Sequence, residues 1–166
     1  MNTEFEHFSP TQLDLYPENL RVEIDELDQI IYENVNNGVY RAGFATTQAA
    51  YELAVQKLFE TLDILEERLS QQRYLLGKQI VECDWRLFVT LLRFDAVYYS
   101  HFKCNRRRII DYPNLYRYTC QLYQQDGISD TVNFDHIKRH YYMTHPEINP
   151  TRIVPTGPEL NFHFHI

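Results

Sequence analysis

At 166 residues the chain has the length of one domain with a sizeable core. Its net charge of −7 argues against general nucleic-acid binding, which relies on neutralising phosphates, and it carries no apolar run of the roughly 18–20 residues that a membrane span needs. Five glycines are too few for an all-β protein of tight turns, and 13 tyrosines imply many buried rings whose hydroxyls need partners.

The opening MNTEFEHF lacks the basic and then apolar pattern of a secretion signal, so a cytoplasmic setting is expected. Pro17 suits a first helical turn, after which Leu20, Ile24, Leu27, Ile31 and Val35 recur at three- and four-residue steps. Asn36-Asn37-Gly38 reads as a left-handed stop, which would put Tyr40 on a short connection between helices. The second helix is the clearest. Tyr51, Val55, Leu58, Leu62, Leu65 and Leu69 form one apolar stripe, with Thr46 or Thr47 as its cap.

A third helix is expected from about Glu82 to Ser100, apolar around most of its circumference and therefore central. The fourth starts at Pro113, faces Leu115, Tyr118 and Leu122 inward, and ends at Gly127. A fifth runs from about Asn133 to Thr144. Pro146, Pro150, Pro155 and Pro158 then impose an irregular, extended tail. The fold class is all-α: a helical bundle with a Pro-rich C-terminal tail.

Several residues invite chemical readings that their surroundings weaken. Cys83, Cys104 and Cys120 are odd in number and widely spaced, which matches neither a disulfide framework nor a zinc pattern. Cys104, beside Lys103 and near Arg106-Arg107-Arg108, is the one thiol whose neighbours could lower its pKa, but no base accompanies it. The arginine triplet reads as a solvated loop. His136 and His140 have the i,i+4 spacing of a metal pair and His163 and His165 alternate, yet neither pair has a third ligand at diagnostic spacing, and no metal is expected. Asp95, inside the third helix, needs a partner and could orient Tyr98 or serve a structural pairing.

The longest informative segment is IDELDQIIYENVNNGVYRAGFATTQAAYE. With Leu15-Tyr16-Pro17, RYLLG, LLRFDAVYYSHFKCN, DYPNLYRY, TVNFDHIKRHYY and INPT, it resembles the glutathionyl-hydroquinone reductases, the Xi class of glutathione transferases, from Leu13 to about Pro158. The resemblance is to that family's C-terminal helical domain. It implies a linker remnant over 1–16, a glutathione transferase C-terminal-like domain over 17–145 and an extended tail over 146–166. The segment around Leu75-Leu76-Gly77 resembles the entry to the central helix of these domains. There a Ser or Thr cap usually pairs with an Asp three residues on; Asp84 matches the acid, while Val81 stands at the cap without an oxygen to offer.

The resemblance also assigns roles. Tyr40 matches the family's proton donor or acceptor, and Tyr98 and Tyr141 match two tyrosines whose hydroxyls face a catalytic thiolate. Spacing alone does not choose Tyr141 over Tyr142. In the family a cysteine in a Cys-Pro motif of a thioredoxin-like domain attacks a glutathionyl-hydroquinone, and a second glutathione resolves the mixed disulfide. No Cys-Pro occurs in this sequence. The expectation is an aromatic-substrate half of the site that is inactive alone, binding no cofactor by itself, with glutathione as cosubstrate of the intact enzyme. The implied partners are a second copy in a homodimer, a thioredoxin-like domain missing from this chain and a hydroquinone-type small molecule. The alternative is a non-enzymatic helical module for dimerisation or ligand binding.

Overall fold

Val55, Leu58, Leu62, Leu65 and Leu69 are buried along one face of a 24-residue helix, Gln48–Gln71, and the other helices assemble around that face. The computed structural model describes residues 13–163; the expected linker up to residue 12 and the last three residues, His165 among them, lie outside the described residues. In chain order the α-helices are α1 Arg21–Ile31, α2 Asn37–Gly43, α3 Gln48–Gln71, α4 Glu82–Arg93, α5 Pro113–Tyr123 and α6 Phe134–Thr144. Five-residue π-turns, Tyr32–Asn36 and Phe94–Tyr98, join α1 to α2 and extend α4. The described residues therefore form five helical rods and no β-strand. α2 and α5 pack on α3, α1 packs on α4, and α6 meets the π-turn that follows α4. Thr47 supplies the cap of α3, its Oγ1 accepting from the Ala50 N–H at 3.3 Å, and Asn133 caps α6 through the His136 N–H at 3.0 Å.

The first rod does not stop at Gly38, contrary to the sequence expectation. Asn37 keeps right-handed helical angles (φ −81°, ψ −24°), and the helix continues to Gly43 with Tyr40 on it. Packing explains the difference. Gly38 is buried against α3, and even a Cβ there would only reach ordinary contact with Leu58 Cβ at 3.8 Å, so the site holds helix and the glycine does not turn the chain. The Asn36 amide crosses to the neighbouring rod, donating to Thr90 Oγ1 at 2.6 Å and to the Arg86 carbonyl at 2.9 Å. Gly38, Val39 and Ala42 are buried, so the segment expected to be a connection is half inside the core.

α4 is central, as expected: Leu87, Phe88, Leu91 and Leu92 are buried, and so are Phe94 and Val97 beyond it. At its entrance Asp84 is fully buried and accepts from the Val81 N–H (2.8 Å), the Leu75 N–H (2.9 Å) and the Tyr118 hydroxyl (2.9 Å). Val81 lacks a capping hydroxyl, but the carboxylate half of the device is intact. Asp95 accepts from the Ile109 and Ile110 N–H groups at 2.6 and 3.2 Å, which settles its role as structural. α5 ends at Tyr123, and Gly127 takes its left-handed angle (φ +76°) in the turn that follows. The tail has no regular element through residue 163 and is tied down over α5 and α6. Phe162 packs between Tyr123 and Phe134, at centroid distances of 5.1 and 5.8 Å. Gln124 Nε2 donates to the Phe162 carbonyl, and Lys138 Nζ to that of Thr156.

Asp28 on α1 carries a consequence for pH. Its Oδ1 is buried without a hydrogen-bond partner. Arg86 reaches its other oxygen at 2.8 Å but is itself exposed and shared with Glu82 at 2.6 Å. Burial therefore outweighs attraction, and the Asp28 carboxyl is pushed up from 3.8 to about 6. The folded chain holds this proton more tightly than the unfolded one. The associated stability is fully present below the unfolded value and is lost as pH rises through about 6. Asp28→Asn is accordingly expected to stabilise the fold by about 1–2 kcal/mol near neutral pH and to change little near pH ~4. Urea unfolding at the two pH values checks this, and an equal effect at both would refute it.

Candidate functional site

α2, the end of α4 with its π-turn, and α6 each bring one tyrosine to a common point. Tyr141 stands in the middle. Its hydroxyl lies 2.5 Å from that of Tyr40 and 2.8 Å from that of Tyr98. Tyr98 is 3% exposed, Tyr141 5% and Tyr40 38%, so the chain of phenols runs from the core outward. It opens into a groove of about 540 Å³ lined also by Tyr32, Asn36, Asn37, Arg86, Val89, Thr90 and Arg93. The neighbouring Tyr142 points elsewhere, its hydroxyl meeting that of Ser100.

A ring cluster fixes this arrangement. Phe102, fully buried, stacks on Tyr98 (centroids 5.6 Å apart, planes 17° apart) and meets Tyr40 at 5.2 Å and Tyr141 at 5.8 Å. Its position depends on Gly43. A Cβ there would lie 2.2 Å from Phe102 Cδ1, so any side chain at that position would displace the ring. Phe44 and His145 complete the wall. His145 Nδ1 lies 3.1 Å from His101 Nε2, and burial lowers the His101 imidazole to about 4, leaving it neutral near pH ~7.

Electrostatics keeps the two buried phenols protonated. Burial, first, and then the neighbouring phenols raise Tyr98 far above the ordinary value, so it keeps its proton. Tyr141 is pushed up to about 12, chiefly by burial and then by its bond to Tyr40, while the bond from Tyr98 acts the other way. Either hydroxyl can donate in each of the two bonds; once Tyr40 gives up its proton, Tyr141 donates to it and Tyr98 to Tyr141. Tyr40 is the most exposed of the three and lies at the groove.

The rival sites dissolve. Cys104 is buried, its sulfur within 4.0 Å of the Val39 carbonyl, and burial pushes its thiol up to about 12, opposite to the lowering its basic neighbours suggested. Cys83 is raised further, by burial first and Asp84 second, and Cys120 is buried too. Among the described residues no group of three or more His, Cys, Asp or Glu could hold a metal. Arg107 pairs with Asp63 at 3.0 Å and Arg108 with Asp111 at 2.7 Å, which accounts for most of the basic triplet. Among the described residues no helix is long and apolar enough to cross a membrane. Sequence reasoning missed Phe102, His101 and His145. The two histidines are 44 positions apart and meet only through the fold. The spacing of Phe102, four after Tyr98, was the one available signal.

The comparisons follow the same lines. Residues 48–119 match the family model "Glutathione S-transferase, C-terminal domain". The glutathionyl-hydroquinone reductase YqjG of Escherichia coli is 54% identical over 157 residues, covering 95% of this chain and 48% of the relative. The glutathionyl-hydroquinone reductase PcpF of Sphingobium chlorophenolicum is 52% identical, over 95% of this chain and 50% of its own length. The chain thus spans about half the length of these relatives. The glutathione-bound structure of the Escherichia coli protein superposes with a TM-score of 0.95 at 53% identity, covering 97% of this chain and 52% of that one. The Xi glutathione transferase of Phanerochaete chrysosporium does so with 0.91 at 57% identity, covering 95% of this chain and 52% of that one. Order of motifs, helical architecture and these matches agree that the chain belongs to the Xi-class glutathione transferases, the family of the glutathionyl-hydroquinone reductases, as a C-terminal helical domain.

Proposed function

We propose that this chain supplies the aromatic-substrate half of a glutathionyl-hydroquinone reductase site, with Tyr40 as the acid and Tyr98 and Tyr141 behind it. The observation that carries the reading is the convergence of the three hydroxyls within 2.5 and 2.8 Å at the edge of an open groove. In this reading a cysteine thiolate from the thioredoxin-like half of such an enzyme attacks the sulfur of the glutathionyl-hydroquinone. The carbon–sulfur bond breaks, its electron pair goes to the ring carbon, and the Tyr40 phenol protonates that carbon. Tyr141, itself supplied by Tyr98, stabilises the resulting phenolate. Glutathione thiolate then attacks the cysteine–glutathione disulfide, releasing glutathione disulfide and restoring the cysteine. The buried thiols of this chain are unsuited to the nucleophile's role, since only an accessible thiolate attacks.

The same reading makes the cytoplasm the working compartment and a homodimer the working assembly. Leu53 and Ile64, exposed on one face of α3, are apolar positions open to a second copy. A steady-state assay tests the assignment. The chain alone is expected to give no glutathione-dependent release of hydroquinone, and mixing or joining it with the thioredoxin-like half of a relative is expected to restore turnover. Turnover by the chain alone that Cys104→Ser abolishes would overturn the division of labour.

A further inference from the structure

Arg93 closes α4, and its side chain lines the tyrosine groove together with Val89, Thr90, Tyr98 and Tyr141. No carboxylate lines this groove, although the chain as a whole carries a net charge of −7. The other arginine there, Arg86, is neutralised by Asp28 at 2.8 Å and Glu82 at 2.6 Å. Arg93 forms no ion pair among the described residues. Its Nη1 donates to the Val89 carbonyl, one turn back, at 2.7 Å, which holds the guanidinium along the helix with the rest of its donor fork open. The residue is half-buried, so its charge is only partly screened by water. Its field reaches the phenols, acting on Tyr141 in the sense opposite to burial.

A half-buried guanidinium without an acid partner attracts an anion, and its planar fork fits a carboxylate better than a point charge would. The groove beside it offers the faces of aromatic rings. We propose that Arg93 selects aromatic ligands that bear a carboxylate on the ring, pairing with that carboxylate while the ring lies at the Tyr40 end of the groove. Arg93 is then a specificity determinant one turn from the phenol chain. This rests on the reading that the groove takes an aromatic ring, and the test separates the two.

Hydroquinone and 2,5-dihydroxybenzoate are the same ring without and with a carboxylate. Each is titrated into the tyrosine-labelled chain and followed by NMR, and the ratio of the two affinities is the readout. In the native chain the carboxylate probe is expected to bind about tenfold tighter at low salt, a preference that shrinks in about 0.5 M salt. The ratio is expected to approach one in Arg93→Gln and to survive in part in Arg93→Lys, which keeps the charge and loses the fork. Equal affinities in the native chain, a preference indifferent to salt, or one unchanged in Arg93→Gln would overturn the pairing and leave the aromatic groove standing. If neither probe moves the tyrosine signals, the groove reading fails and the pairing with it. The salt arm needs no variant, so it holds even if Arg93→Gln folds poorly.

Discussion

Replacing Tyr40 by phenylalanine is expected to cost about 10²–10⁴ in kcat when the chain is assayed together with the thioredoxin-like half of a relative, the range of a positioned general acid. The Tyr40 ring packs on Phe102 at 5.2 Å, and phenylalanine keeps that contact, so the loss reports the hydroxyl. Tyr141→Phe removes the donor behind Tyr40 and leaves Tyr98 without an acceptor. It is expected to cost about 10–100-fold, the scale of one hydrogen bond to a charged group at ~1.5–3 kcal/mol. The order matters more than either figure. If Tyr141→Phe proves the costlier substitution in kcat, the proton comes from the central phenol, and Tyr40 is not the acid.

Asp84→Ala carries the largest expected effect on stability. The carboxylate is fully buried and satisfies three donors: two backbone N–H groups and the Tyr118 hydroxyl. Removing it leaves buried donors unpaired at about 1–3 kcal/mol each, so a loss of about 3–5 kcal/mol is expected. That is a large share of the roughly 5–15 kcal/mol that holds a domain folded. Asp84→Asn keeps an acceptor oxygen but turns an amide towards a donor, and falls between. Chemical unfolding measures both. A loss below about 1 kcal/mol for alanine would mean that water or a rearranged loop takes over the donors.

The sequence carried the helical architecture most clearly where packing is repetitive. The α3 stripe needs one buried face, and a three-four spacing announces such a face without knowledge of the partner. Tyr40 was harder. Asn36-Asn37-Gly38 has the composition of a stop, but composition does not say whether a glycine frees the backbone or continues a helix. The packing of α2 on α3 decides it, and Leu58, the side chain nearest Gly38, lies 20 positions away. Resemblance picked Tyr98 and Tyr141, whereas spacing could not separate Tyr141 from Tyr142. The fold separates them by sending one hydroxyl to Tyr40 and Tyr98 and the other to Ser100. Cys104 misled for a related reason. Its charged neighbours in sequence point to solvent, while the sulfur points into the core.

Both π-turns adjoin the phenol chain: Tyr32–Asn36 ends four residues before Tyr40, and Phe94–Tyr98 ends on Tyr98 itself. A π-turn accommodates one residue more than a regular helical turn does, and each residue of an α-helix advances the side chains by about 100°. The two turns thus set the rotational phase of the rods beyond them. Closing either turn into regular α-helix with its residue count unchanged would swing everything downstream by about 100°, carrying a hydroxyl away from its neighbour even if every side chain were kept. The alignment is stored in the hydrogen-bond register of the two turns as much as in residue identity. A scan by substitution would pass over that information, and a scan by single-residue deletion would find it at these two places, where the lost residue is absorbed and the rod beyond stays in phase.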